Sequence, residues 1–182
     1  MTRIIRVSGL AVLLVVAGLG LWLGLRGRSS SARPELGPTK TGPERSVAPL
    51  GPTALSAPGL QARSTALGQD VYWLGPRIGG RYELERTANG NVFVSYLSDA
   101  TRDTATVGTY LLENAYTATL DAAAEPGWAK EHVEGWLVVR RASSETEVYL
   151  AAQGFPYQIE VYDPIPGRAR ALVESGAVTP VR

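Results

Sequence analysis

The stretch 81-RYELERTANGNVFVSYL-97 decides the fold. RYELER at 81–86 alternates, with Tyr82 and Leu84 on one side and Glu83 and Glu85 on the other, the period of a half-buried strand. Asn89-Gly90 then supplies the strongest short hairpin signal. NVFVSYL at 91–97 is apolar on both faces, which predicts an interior strand.

Upstream lies 75-GPRIGGRY-82, which has the outline of a phosphate-binding loop, G-x-x-x-x-G-K-[ST]. Such a loop opens a helix, whose N-terminus helps hold the phosphate. Here a strand pattern follows instead. Arg81 stands where lysine belongs, and Tyr82 where a magnesium-binding hydroxyl belongs. The stretch reads as a Pro/Gly turn between strands. Arg77 and Arg81 remain candidates for receiving a partner's carboxylate or phosphate, a solvated turn being the plainer reading.

Downstream, TATVGTY at 104–110, WLVVRR at 136–141, EVYLAA at 147–152 and YQIEVY at 157–162 read as strands, as does VYWLG at 71–75. In YQIEVY, Tyr157, Ile159 and Val161 share one face, and Gln158, Glu160 and Tyr162 the other. Leu112, Ala115, Tyr116, Leu120 and Ala123 fall at helical spacing, predicting a helix over 112–124 that ends before Pro126. Asp163 is placed to cap a second helix, with Pro164 and Pro166 in its first turn and Gly176 at its end. The order is a strand, then β-β-β-α twice. YELER aligns with WLVVR, and Tyr110 and Leu120 with Tyr162 and Leu172, which suggests a duplication. The expected class is α+β: a mostly antiparallel sheet with two helices on one face, behind an N-terminal transmembrane helix.

That helix is VSGLAVLLVVAGLGLWLGL at 7–25, which carries no charge. At 1.5 Å per residue it spans about 28 Å, close to a bilayer's hydrocarbon core. It exceeds the apolar length typical of a cleaved signal, and the only cleavage-like sequence nearby is 30-SSA-32. An uncleaved anchor after the short tail 1–6 is therefore expected, with the bilayer as partner of residues 7–25. Arg3 and Arg6 nearly balance Arg26, Arg28 and Arg33 across the span. The very short N-terminal tail favours a single-pass topology with the C-terminal domain extracytoplasmic.

Residues 26–67 read as a disordered tether. Six of the twelve prolines and five glycines fall in 27–67, with no aromatic residue. Residues 68–182 read as the extracytoplasmic α+β domain. Positions 1–67 carry eight basic and two acidic residues, and 68–182 carry ten basic and fifteen acidic. An acidic, aromatic-rich domain disfavours nucleic acid as a partner, since that needs a basic face.

Chemistry-bearing residues are scarce. The absence of cysteine removes disulfides, thiolate metal sites and cysteine nucleophiles. The single histidine, His132, lies in 130-KEHVEG-135, where Glu131, His132 and Glu134 make at most a weak metal site. No G-x-S-x-G elbow exists, and Ser143 and Ser144 sit in a hairpin-like loop. Asp99 and Asp103 lack calcium-loop spacing. No catalytic residue, metal site or cofactor motif is expected. Tyr162, an aromatic on the polar face of its strand, joins Arg77 and Arg81 as a candidate contact surface.

Two segments carry a resemblance: 70-DVYWLGP-76 with the following YELER and SYL, and 157-YQIEVYDPIPGRARAL-172. Across most of 69–182 the chain resembles uncharacterised single-span envelope proteins of high-GC Gram-positive bacteria. The resemblance implies a cell-envelope location and no particular activity. The expected function is a tethered, non-catalytic module contacting an envelope protein or a wall polymer. The alternative is a wall-glycan hydrolase or transferase acting through Asp and Glu, which requires two facing carboxylates.

Overall fold

The computed structural model describes residues 47–98 and 104–182. The tail 1–6, the apolar run 7–25, the first part of the tether and Asp99 and Asp103 lie outside the described residues. Among the described residues no helix is long and apolar enough to cross a membrane.

The elements are β1 (Leu50–Leu55), α1 (Ala57–Leu67), β2 (Tyr72–Trp73), β3 (Arg81–Arg86), β4 (Val92–Leu97), β5 (Thr106–Leu111), α2 (Ala115–Ala122), β6 (Trp128–Val133), β7 (Trp136–Arg141), β8 (Glu147–Ala151), β9 (Tyr157–Tyr162), α3 (Arg168–Glu174) and β10 (Thr179–Pro180). Eight strands form one sheet in the order β1-β3-β4-β5-β9-β8-β7-β6, with every pairing antiparallel. The protein is therefore α+β with the sheet dominant. Two meanders, β3-β4-β5 and β7-β8-β9, meet where β5 pairs with β9.

The alternation in RYELER works as the sequence implies. Tyr82 and Leu84 are fully buried, while Glu83 and Glu85 are half-buried on the other face. The Asn89-Gly90 pair turns the chain into β4, which lies inside the sheet between β3 and β5. In β9, Tyr157, Ile159 and Val161 point one way and Gln158, Glu160 and Tyr162 the other, as their cross-strand partners show.

The front face carries most of the core. Leu60 of α1 packs with Val71, Trp73, Tyr82, Leu84, Val92 and Val94. Ala169 and Val173 of α3 pack with Val138, Val148, Leu150, Ile159 and Val161. The small β2–β10 ribbon lies over the same face, where the Tyr72 backbone N–H donates to Thr109 Oγ1 at 3.1 Å. Tyr72 is buried there, and desolvation, with Asp70 nearby, pushes its phenol up to about 12.

Three sequence expectations are corrected. The tether does not extend to residue 67, because β1 pairs with β3 and α1 closes on the front face. The Pro/Gly-rich composition hid a working helix start: Ser56 Oγ accepts from the Gly59 N–H at 3.3 Å, and Pro58 sits in the first turn, where no N–H is needed. Gly68 ends the helix at φ 66°, a left-handed conformation that favours glycine.

Second, the predicted pair of helices does not share a face. α2 packs against Leu137 and Val139 through Ala123, Tyr116 and Leu120, whereas α3 packs against Val138. Consecutive residues of β7 point to opposite faces, so α2 lies on the back and α3 on the front. α1, unseen in the sequence, is the second front helix.

Third, Asp163 caps a turn rather than a helix: its Oδ1 accepts from the Ile165 N–H at 2.9 Å, and α3 begins only after Gly167. The stretch around His132 is strand β6, the edge partner of β7.

Candidate functional site

The three sequence candidates do not converge. Arg77 sits in a turn pinned from below by two tyrosines. Its own N–H donates to Tyr82 Oη at 2.6 Å. Tyr96 Oη accepts from the Leu74 N–H at 2.5 Å and donates to the Gly75 carbonyl at 3.0 Å. The Arg77 guanidinium lies 4.3 Å over the Tyr96 ring, a cation–π contact on the front side. GPRIGG is thus a strand-to-strand turn, with Ile78 fully exposed at its tip.

Arg81 projects to the back face, since its neighbour Tyr82 faces front. Tyr162 is also on the back, opposite Thr106 on one side and Glu147 on the other. Three strand spacings separate β3 from β9, and Arg81 lies two residues along from Glu83, which shares Tyr162's row, so Arg81 and Tyr162 stand about 16 Å apart across the sheet.

The back face is divided. α2 covers the β7-β8-β9 half, where Gln158 Nε2 donates to Thr119 Oγ1 at 2.7 Å. Among the described residues no helix packs on the back of β3, β4 and β5. Two rows of paired residues run across this half. One is Glu85, Phe93, Gly108 and Glu160; the other is Glu83, Ser95, Thr106 and Tyr162.

The centre of the first row closes on itself. Gly108 has no side chain, and the Phe93 and Tyr110 rings settle over it edge-to-face, centroids 5.7 Å apart. Tyr110 Oη donates to Glu160 Oε2 at 2.5 Å, which holds the ring down. Aromatic rings packed over a strand glycine help to pin the register of neighbouring strands.

Glu83 and Glu85 flank this centre on the same face of one strand, and among the described residues neither has an ion-pair partner. Partial burial, reinforced by the Glu83 charge, raises the Glu85 carboxyl above its ordinary 4.5. The half-face therefore offers two unsatisfied carboxylates beside an aromatic floor, with Leu97 at its margin 36% exposed.

The remaining candidates separate. Glu131 and His132 are consecutive in β6 and point to opposite faces. Glu131 meets Arg170 Nη2 at 3.1 Å, and His132 Nε2 lies 3.4 Å from Tyr116 Oη. No group of three or more His, Cys, Asp or Glu side chains among the described residues is placed to hold a metal. Ser144 serves the β7–β8 turn, its N–H donating to the Arg141 carbonyl at 3.2 Å.

Comparison with protein-family models, curated proteins and solved structures returns no match.

Sequence reasoning found the shared face of Glu83 and Glu85 but assigned it to solvent by default. It missed Gly108 and Glu160. The signal was present in TVGTYL, where a glycine interrupts a strand pattern, but its meaning depends on the distant β5–β9 pairing.

Proposed function

We propose that this protein is a membrane-tethered, extracytoplasmic binding module without catalytic activity, anchored through residues 7–25. Its contact surface is the back of β3-β4-β5. The observation that carries this reading is the pair Glu83 and Glu85, two carboxylates without ion-pair partners among the described residues, on a half-face with no helix over it. Their charge selects a cationic surface as partner. Phe93 and Tyr110 spend their faces on Gly108 and on each other, rather than lying open for a sugar ring, which favours an envelope protein over a wall polymer. The resemblance to single-span envelope proteins agrees with this placement.

The alternative, a carboxylate glycosidase, finds less support. Retaining and inverting enzymes need carboxyl groups about 5–9.5 Å apart across a bond. Glu83 and Glu85 project side by side from one strand. Glu85 and Glu160 are three strands apart, about 14 Å.

The two meanders also support the duplication. The offset that aligns Tyr110 with Tyr162 also aligns Gly108 with Glu160, and these two pair directly. On this reading the strands of the two halves are related by a two-fold axis at that pair, which α2 and α3 break by packing on opposite faces.

The test is in-cell photocrosslinking from a reactive residue at Leu97, with Ser143 in the β7–β8 turn as control. A dominant protein adduct from Leu97, missing from Ser143, is expected. The same adducts from both positions, or none from Leu97, would overturn the reading.

A further inference from the structure

We propose that one end of the sheet, tipped by Ile78 and Ile165, docks on an anionic lipid surface. The inference goes beyond the half-face reading and shares with it only the membrane location.

Among the described residues four large apolar side chains are exposed: Ile78, Leu97, Leu111 and Ile165. Three of them fall at one end of the sheet. Arg81 opens β3 opposite Leu97, and Thr106 opens β5 opposite Tyr162. The turn before β3, the close of β4 and the turn after β9 therefore lie together at that end. Leu111, opposite Tyr157, lies at the other.

Both tips are held outward by fixed backbone. In the first turn the Gly80 N–H donates to the Arg77 carbonyl at 2.9 Å, above the two tyrosine hydroxyls that pin Leu74, Gly75 and Arg77. Ile78 stands fully exposed at its apex. In the second, buried Asp163 accepts from the Ile165 N–H, and the Gly167 N–H donates to the Glu145 carbonyl at 2.8 Å. Pro164 and Pro166 flank Ile165, which is 52% exposed. Side chains presented by pre-ordered turns lose little further freedom on binding.

Charge selects the occupant. Arg77 and Arg81 flank the first tip and Arg168 follows the second, all three exposed. Against them stand Asp163, buried and 3.5 Å from Arg168 Nε, and exposed Glu145. Apolar tips among guanidinium groups suit a membrane interface, with isoleucines at the acyl boundary and arginines at anionic headgroups. The other end exposes Asp70, Glu113, Glu134 and Glu174, which such a surface repels. A second copy would set arginine against arginine. A protein partner is bound through a central packed cluster. Here the tips adjoin strands about 14 Å apart, which suits a fluid surface that closes around each. Docking by this end leaves the back of β3-β4-β5 clear of the bilayer.

The chain's lack of cysteine makes the test clean. Ile78→Cys, Ile165→Cys and, in the exposed turn at the far end, Gln153→Cys are each labelled with a polarity-sensitive fluorophore. The full chain is reconstituted in phosphatidylcholine liposomes with about one-third phosphatidylglycerol. Quenching by a nitroxide on the upper acyl chain is expected to be at least about threefold stronger at the two tips than at the Gln153 site. It should fall at least about twofold in phosphatidylcholine alone. Quenching of the Ile165 label should also fall in Ile78→Asp and persist in Ile78→Leu. Equal quenching at all three sites, or tip quenching indifferent to lipid charge, would overturn the proposal. So would a polarity shift at the tips without lipid quenching, which signals contact with another copy. A chain that fails to float with the liposomes removes the membrane anchoring and this inference together. Tip quenching without a partner adduct from Leu97 leaves this inference standing and removes the half-face reading.

Discussion

Gly108 and Glu160 stand directly opposite one another where β5 pairs with β9, at the join of the two meanders. A Cβ at Gly108 would lie 3.0 Å from the Tyr110 ring and 3.1 Å from the Phe93 ring. The glycine is what lets both rings lie down and brings Tyr110 Oη to Glu160. Gly108→Val lifts both rings and strains the hydrogen bond. Its expected cost is about 1–3 kcal/mol, the range for overpacking a well-fitted site. Urea unfolding of the variant and wild type measures it, and an unchanged midpoint would refute the role given to Gly108.

The turn that resembled a nucleotide loop depends on two hydroxyls. Tyr96→Phe leaves the half-buried Leu74 N–H without its acceptor and the Gly75 carbonyl without its donor. A loss of roughly 1–3 kcal/mol is expected. Ile78→Ser at the exposed tip should change stability by less than about 0.5 kcal/mol. Thermal unfolding of the two variants side by side checks the contrast.

Glu85 gives a pH dependence of defined sign. Its folded carboxyl is raised, so the folded state binds the proton more tightly than the unfolded one. The protonated form stabilises fully below the ordinary 4.5, and that contribution is lost as pH rises through the raised value. Glu85→Gln should therefore raise the melting temperature at neutral pH, and the gain should vanish at acid pH. Melting curves across pH 3–8 would show it; a gain that grows on acidification contradicts the assignment.

The open edge at β6 is guarded by charge. In a two-fold extension of the sheet each face continues into itself, so opposed residues must share a face. The two central registers then place Lys130 against Lys130 of a second copy, or Glu131 against Glu131. Like charges opposed across strands are destabilising. Lys130→Val is expected to promote self-association, measured by sedimentation. A variant that stays as monodisperse as wild type would show that the edge is protected otherwise.

The sequence was most legible where the order is local. RYELER, Asn89-Gly90 and YQIEVY carried the β3–β4 hairpin and the two faces of β9, because alternation and turn chemistry act over a few residues. β1 and α1 were hidden because their prolines and glycines look like a linker, although Ser56, Pro58 and Gly68 serve as helix punctuation. The side taken by α2 was not legible, since Tyr116 and Leu120 would suit either face of an apolar sheet. The site was half legible. Glu83 and Glu85 were visible on one face, whereas Arg77 looked available and is stacked on Tyr96. What makes the half-face distinct, namely Gly108 against Glu160 and α2 over the other half, comes from pairings between residues some fifty positions apart.

The most direct measurement reverses charge beneath the crosslinker. The Leu97 adduct is compared in wild type, in Glu83→Lys/Glu85→Lys, and in Glu145→Lys/Glu174→Lys, whose carboxylates lie away from this half-face. Circular dichroism confirms that each variant is folded. The adduct should disappear in Glu83→Lys/Glu85→Lys and persist in the other variant. An adduct that survives reversal at Glu83 and Glu85, or falls equally in both variants, would contradict the assignment of this surface.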